Sequence, residues 1–306
     1  MATESSFADR VIGATRRLEH PLCVGLDPHL GQLPPLFRRG SMNPDEPTTA
    51  EAVEDFFFAV IDRIADRVAV VKPQVAFFEQ LGWRGLRALG RVIARARQRG
   101  LLVLIDAKRG DIGSTAAAYA RAHLGPDAPF AGDALTVHPY LGLDSLEPFI
   151  ERCSEVSAGL FVLVRTSNPG AGTLQDLEIA GQPLFHRVAE TLAPAAEKLR
   201  GAATGWSSLG VVLGATWPGQ AEAVRRLLPH SLVLVPGYGA QGASAQDAVR
   251  SFTLGPGGRR LEGGLVNSSR GILFPKLEGE SSAAWERAFD AGLARAIDEL
   301  SRAVAP

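Results

Sequence analysis

Cysteine is almost missing from this chain: there are two in 306 residues, Cys23 within a short apolar run and Cys153 in a helix-like segment. Two distant thiols make no disulfide framework, and a reducing cytoplasm is the simplest home for such a chain. An excess of either charge is missing too. The 32 lysines and arginines against 33 aspartates and glutamates leave a formal net charge of -1, which gives no footprint for nucleic acid or an anionic membrane surface. No apolar run is long enough to cross a bilayer. Residues 1–22, dotted with Glu4, Asp9, Arg10, Arg16, Arg17 and Glu19, lack the apolar segment a signal peptide needs. Histidine is sparse, and His29, His123 and His138 each stand without companions at metal-ligand spacing, so they read as packing or hydrogen-bonding residues. Internal repeats, low-complexity tracts and linker-like shifts of composition are absent as well, which argues against a string of modules.

What the chain does have is 46% hydrophobic residues, enough to fill a barrel-sized core. They come as short apolar runs alternating with stretches of helical periodicity. After a helix-like extension over residues 1–20, strands are expected at 22–26, 69–71, 101–105, 134–137, 160–164, 211–213, 232–235 and 265–266. Between them, Thr48 or Thr49 is placed to cap a helix carrying the Val53, Phe56, Phe57, Val60, Ile61 and Ile64 stripe, and Ser114 to cap one carrying Thr115, Tyr119 and His123. Further helices are expected over 83–99, through Leu143, Leu146, Phe149 and Ile150, over 184–199 with a kink at Pro194, from Pro218 to Leu228, and over 285–304. Segments 28–47, 172–182 and 255–264 read as loops. Eight alternations of strand and helix point to the α/β class and to a (β/α)8 barrel filling residues 1–306 as a single domain with loop insertions. A doubly wound sheet is the competing architecture.

The stretch from Leu101 to Thr115 organises the functional reading. Its apolar run leaves through Asp106, Lys108 and Asp111, and side chains alternate along a strand, so Asp106 and Lys108 share a face. An isolated Asp-x-Lys is most often a structural ion pair. Here the charges stand at a strand exit, where parallel α/β folds bind their ligands, and a buried charge there has to be paired. Asp27, Lys72, Ser167, Gln241 and Arg270 also follow expected strands, so in a barrel they converge on one mouth. The glycines from Gly237 to Gly242 let backbone N–H groups approach an anion, and Arg270 on the next strand exit adds a planar fork of donors.

The pattern Asp106-x-Lys108-x-x-Asp111-Ile112-x-x-Thr115 resembles the signature of the orotidine 5'-monophosphate decarboxylases, with matches running from the first strand to the eighth. The Thr166-Ser167-Asn168-Pro169-Gly170 run and the chain length resemble the longer subgroup, often called type 2. This resemblance implies conversion of orotidine 5'-monophosphate to uridine 5'-monophosphate and CO2, the last step of de novo pyrimidine nucleotide synthesis, without cofactor or metal. It implies a charged array of Lys72, Asp106, Lys108 and Asp111, with Lys108 protonating the C6 carbanion. It assigns Asp27 to a ribose hydroxyl, Ser167 to the pyrimidine edge, Gln241 and Arg270 to the phosphate and Pro236 to the wall. It also implies a homodimer in which the partner supplies Asp111 and Thr115. Departures from the compact subgroup lie in 28–48, 253–264 and 267–269. Two other readings stay open: an Mg2+-dependent sugar-phosphate decarboxylase or lyase on a related barrel, disfavoured by Lys72 because a second ammonium repels a divalent cation, and a nucleotide-binding barrel without catalysis.

Overall fold

The apolar runs become one closed sheet. The computed structural model describes residues 5–239, 242–279 and 281–306. Within them eight parallel strands pair in sequence order: β1 (Leu22–Leu26), β2 (Val70–Pro73), β3 (Leu102–Arg109), β4 (Ala134–Val137), β5 (Gly159–Arg165), β6 (Ser207–Leu213), β7 (Ser231–Val235) and β8 (Gly264–Ser268), with β8 bonded back to β1. Helix α1 (Phe7–Leu18) precedes the barrel. Helices α2 (Pro47–Ile64), α3 (Gly82–Gln98), α4 (Gly113–His123), α5 (Glu147–Val156), α6 (Leu184–Lys198) and α7 (Pro218–Leu227) follow β1 to β6 in turn. The short helix Ala245–Ala248 follows β7, and α8 (Ser282–Ala303) follows β8. This is the (β/α)8 barrel with an N-terminal helix that the alternation of runs predicts.

Strand side chains alternate, so each strand feeds two cores. One lies between the strands and the outer helices. The other fills the barrel itself with Val70, Leu104, Phe161 and Leu232, and it takes in Phe7, Ala8, Val11 and Ile12 of α1. Helix α1 is therefore a plug in the floor of the barrel, at the N-terminal ends of the strands. The Phe7 ring meets Phe161 edge-on at 6.0 Å, and the Ala8 N–H donates to the Ser208 hydroxyl at 3.1 Å. Arg10 pairs with the buried Asp133 at 2.7 Å, which also holds Arg97 at 3.3 Å. Residue 159 must be glycine for this seat to exist, because a Cβ there would lie 2.4 Å from the Phe7 ring. With the floor closed, access is left to the opposite mouth, where the strands end.

Local details differ from the sequence reading. Helix α2 starts at Pro47, whose ring presets the helical φ, with Glu46 at the cap position; Thr49 instead donates its hydroxyl to the Asn43 carbonyl at 2.7 Å. Ser114 does not cap α4, which begins one residue earlier behind Ile112 without a side-chain cap. Helix α5 begins at Glu147, beyond Leu143 and Leu146. An unexpected short helix, Val75–Glu79, follows β2. The segment read as a loop after β5 folds into a one-turn helix, Gly172–Gln175, and a hairpin pairing Glu178–Ile179 with Gln182–Pro183. The insertion before β8 carries a second hairpin, Thr253–Leu254 with Leu261–Glu262. Elements of two to five residues are too short to leave a period in the sequence.

One arginine ties the floor together. Buried Arg225 of α7 donates Nε to the Ser251 carbonyl at 2.6 Å, Nη1 to the carbonyls of Leu228, Pro229 and Ser231 at 3.0, 3.2 and 2.7 Å, and Nη2 to Gly263 at 3.0 Å. Its guanidinium also lies over the Trp206 ring at 5.1 Å. Burial pulls its pKa down to about 10, which leaves it charged at neutral pH. Arg225→Met keeps much of the volume and removes every donor, stranding carbonyls from three chain segments. Urea unfolding should show a loss of about 3 kcal/mol or more, with substrate KM unchanged because the residue is at the far end from the mouth.

Candidate active site

Strand β3 runs past its apolar stretch into the charged motif, and there it breaks regular pairing. Its register with β4 shifts between Ile105 and Arg109, and Lys108 takes a left-handed φ of 48°. Simple alternation, the basis of the sequence argument, is therefore not what aims Lys108; a bulge is. A non-glycine residue held there costs ~1–3 kcal/mol and persists only where its surroundings fix it. The fixing group is Thr136 of β4: its Oγ1 accepts the Lys108 N–H at 2.9 Å and donates to Asp106 Oδ1 at 2.8 Å.

Asp106 is the hub. Its Oδ1 also accepts from Lys108 Nζ at 2.6 Å, and its Oδ2 accepts from Lys72 Nζ at 2.8 Å and Gln74 Nε2 at 3.0 Å. Each oxygen thus takes two donors. Asp106 is 6% exposed and Lys72 4%. Burial alone would raise the Asp106 carboxyl, but the pull of Lys72 and Lys108 outweighs it and holds the group well below the usual carboxylate range. Burial likewise opposes the Lys72 charge, and the attraction of Asp106 and then Asp27 overcomes it, holding that ammonium above the ordinary lysine range. Both stay ionised at neutral pH. The Lys108 side chain, 44% exposed, is the open end of the array.

The array lies at the bottom of a cavity of about 590 Å3 at the strand C-terminal ends. Of the residues singled out from the sequence, Asp27, Lys72, Asp106, Lys108, Ser167, Pro236 and Arg270 all line it. The Ser167 backbone packs so closely over Gly214 that a Cβ there would fall 2.7 Å from Ser167 Cα, and the Thr216 hydroxyl donates to the Ser167 carbonyl at 3.3 Å. After β7, Gly237 has φ 100°, and the Tyr238 hydroxyl donates to Glu299 at 2.5 Å, fastening the glycine-rich loop to α8. Arg270 opens the short helix after β8 and is exposed. Asp27 Oδ1 and Asn267 Oδ1 are buried with no hydrogen-bond partner among the described residues. Two such acceptors suit a ligand rich in hydroxyl or N–H donors.

Three expected residues are not gathered here. Gln241 lies outside the described residues. Among the described residues Asp111 accepts only the neighbouring Ile112 N–H, at 2.8 Å, and neither it nor the exposed Thr115 lines the cavity of this single chain. The sequence reading in turn missed Gln74, Thr136, Gln175 and Asn267. Thr136 had a signal, as the one hydroxyl in an otherwise apolar strand, and Gln74 had another, two residues past Lys72 at a strand exit.

A rigid plus-minus-plus array under a cavity with an arginine at its rim can hold an anionic ligand at two points and offer a proton between them. The model of the Orotidine 5'-phosphate decarboxylase / HUMPS family matches residues 20–281, from the end of α1 to the start of α8. An orotidine 5'-phosphate decarboxylase of Rhodopirellula baltica is 47% identical over 304 residues, covering 96% of this chain and 99% of the relative. One from Deinococcus radiodurans is 41% identical over 272 residues, covering 89% and 90%. A solved structure from Streptomyces avermitilis superposes with a TM-score of 0.80 at 36% identity, covering 99% of this chain and 97% of that one. With most of its length matched, and relatives of this identity spanned nearly end to end, the chain belongs to the orotidine 5'-phosphate decarboxylase family.

Proposed function

We propose that this chain decarboxylates orotidine 5'-monophosphate to uridine 5'-monophosphate in pyrimidine nucleotide synthesis, using its own side chains and no cofactor. The observation that carries the reading is the Lys72–Asp106–Lys108 array at the cavity floor, with Lys72 and Asp106 buried and Lys108 open to the cavity. Arg270 and the loop after Gly237, together with Gln241, take the phosphate; Asp27 and Lys72 take the ribose; Ser167 meets the pyrimidine edge and Pro236 walls it. The bond from C6 to the carboxyl carbon breaks, CO2 leaves, and the electron pair stays on C6. Lys108 Nζ gives its proton to C6 and is reprotonated from solvent, so one proton is consumed for each CO2 released.

Asp106 faces the departing carboxylate. Two like charges about 4 Å apart repel by roughly 4 kcal/mol at an effective dielectric near 20. The larger contribution comes from the preorganised ammonium groups, which need no reorganisation as negative charge develops on C6. Grip on the distant phosphate supplies binding energy that holds C6 in place. Lys108→Ala should still bind uridine monophosphate, with kcat for CO2 release reduced about a thousandfold or more; normal turnover by that variant would remove Lys108 as the acid.

The position beside Asp106 that a divalent cation would need is filled by the Lys72 ammonium at 2.8 Å. That observation favours the decarboxylase over the Mg2+-dependent sugar-phosphate reading. The matching check is turnover after exhaustive EDTA treatment, which should equal that of untreated protein.

We also propose a homodimer in which the partner completes each site with Asp111 and Thr115. Asp111 lies in the segment leaving β3 and Thr115 in the first turn of α4, on either side of Ile112, 59% exposed; Gly110 of the same segment abuts His138, in the segment after β4 that exposes Tyr140 at 77%. Apolar groups so exposed at the mouth suit burial against a second copy. Mixing inactive Lys108→Ala with inactive Asp111→Ala should restore about a quarter of wild-type activity, because random reassortment gives half heterodimers with one intact site each. No recovery from subunits shown to exchange would exclude sharing. The two buried cysteines, both unpaired, support a cytoplasmic location.

A further inference from the structure

Arg165, the last residue of β5, has no place in the proposed chemistry, yet it is fully buried next to Thr166, which lines the cavity. A buried guanidinium is costly to desolvate and persists only when its donors are used. Its Nε donates to Gln220 Oε1 of α7. Its Nη1 donates to Gln175 Oε1 at 3.2 Å and its Nη2 to Asp176 Oδ2 at 3.1 Å. The flat face lies 4.4 Å from the Trp217 ring centroid. Arg165 thus clamps the excursion after β5 onto the loop and helix after β6.

The clamp acts on residues that line the cavity. Gln175 Oε1 also accepts the Thr166 N–H at 2.9 Å, and Gln175 Nε2 donates to Thr166 Oγ1 at 2.8 Å. Thr166 Oγ1 in turn donates to Asn168 Oδ1 at 2.7 Å. Arg165 and the Thr166 N–H both donate to Gln175 Oε1 and so fix which end of the amide is the acceptor, and with it the direction of the later links. Thr166, Ser167, Asn168 and Gln175 all face the same cavity, and none of these bonds reaches Arg270 or the glycine-rich loop.

We propose that Arg165 is a positioning residue for the base-binding wall, holding the 166–168 run in register through Gln175 and Asp176 without touching the substrate. This rests on the activity proposed above. The wall and the phosphate grip are built on different strands, so loss of the clamp weakens recognition of the base and spares recognition of the sugar phosphate. Arg165→Met removes the donors and keeps an apolar body against Trp217. The measurement is competitive inhibition by uridine monophosphate and by ribose 5-phosphate, beside thermal unfolding. Inhibition by uridine monophosphate should weaken about tenfold, and that by ribose 5-phosphate should change less than about twofold. Gln175→Ala, which leaves the arginine in place, should reproduce the split and decides the matter if Arg165→Met does not fold. Equal weakening of both inhibitors, or of neither, would overturn the proposal while wild-type turnover stands. A wild-type protein that neither turned over orotidine monophosphate nor bound uridine monophosphate would overturn the activity reading and this inference with it.

Discussion

A single buried carboxylate governs the mouth of this barrel. Asp106 accepts two donors on each oxygen, and each donor is itself placed by that bond. Lys72 keeps its charge although it is buried because Asp106 is ionised, and Asp106 stays ionised because two ammonium groups face it. The left-handed backbone at Lys108 is held by Thr136, whose hydroxyl is oriented by the same carboxylate. Charge state, side-chain direction and local strain are therefore one cooperative unit, anchored in strands that the core makes rigid.

The barrel could be read from the chain because each strand is an apolar run ended by a polar residue or, after β6 and β7, by glycine and proline, and buried parallel strands leave that mark whatever the loops do. The charged floor could be read because ionisable groups at strand exits have few innocent explanations. What escaped notice was of two kinds. The hairpin after β5 and the helix Val75–Glu79 are too short for periodicity to register, and the latter is tied by Glu79 to Arg109, 30 residues further on. Gln74 and Thr136 are neutral, so beside Lys72 and Asp106 they carried no weight, although their hydrogen bonds set the geometry. The bulge at Lys108 was invisible for another reason: nothing in Asp-Ala-Lys-Arg marks a left-handed residue, and only the pairing with Thr136 on the next strand imposes it.

The clamp and the grip divide the mouth. Arg165 secures the β5 side through side-chain amides, and the Tyr238–Glu299 bond secures the β7 side through the last helix. The two flanks are fastened to different parts of the outer shell, so each can be retuned by substitution without loosening the other. Such independence is how one scaffold hosts varied chemistry at its loop-bearing end.

The plug in the floor has a consequence for how the molecule is assembled. Helix α1 is synthesised long before the surfaces it packs on: the Ala8 N–H waits for Ser208, 200 residues further along, and Arg10 for Asp133, 123 residues on. Until those strands exist, Phe7, Val11 and Ile12 have no cavity to enter, and loop closure over such spans is slow. The apolar ridge of α1 therefore has no seat in this chain until about 200 further residues have been made, so its docking has to follow the formation of β4, which Asp133 precedes, and β6, which carries Ser208.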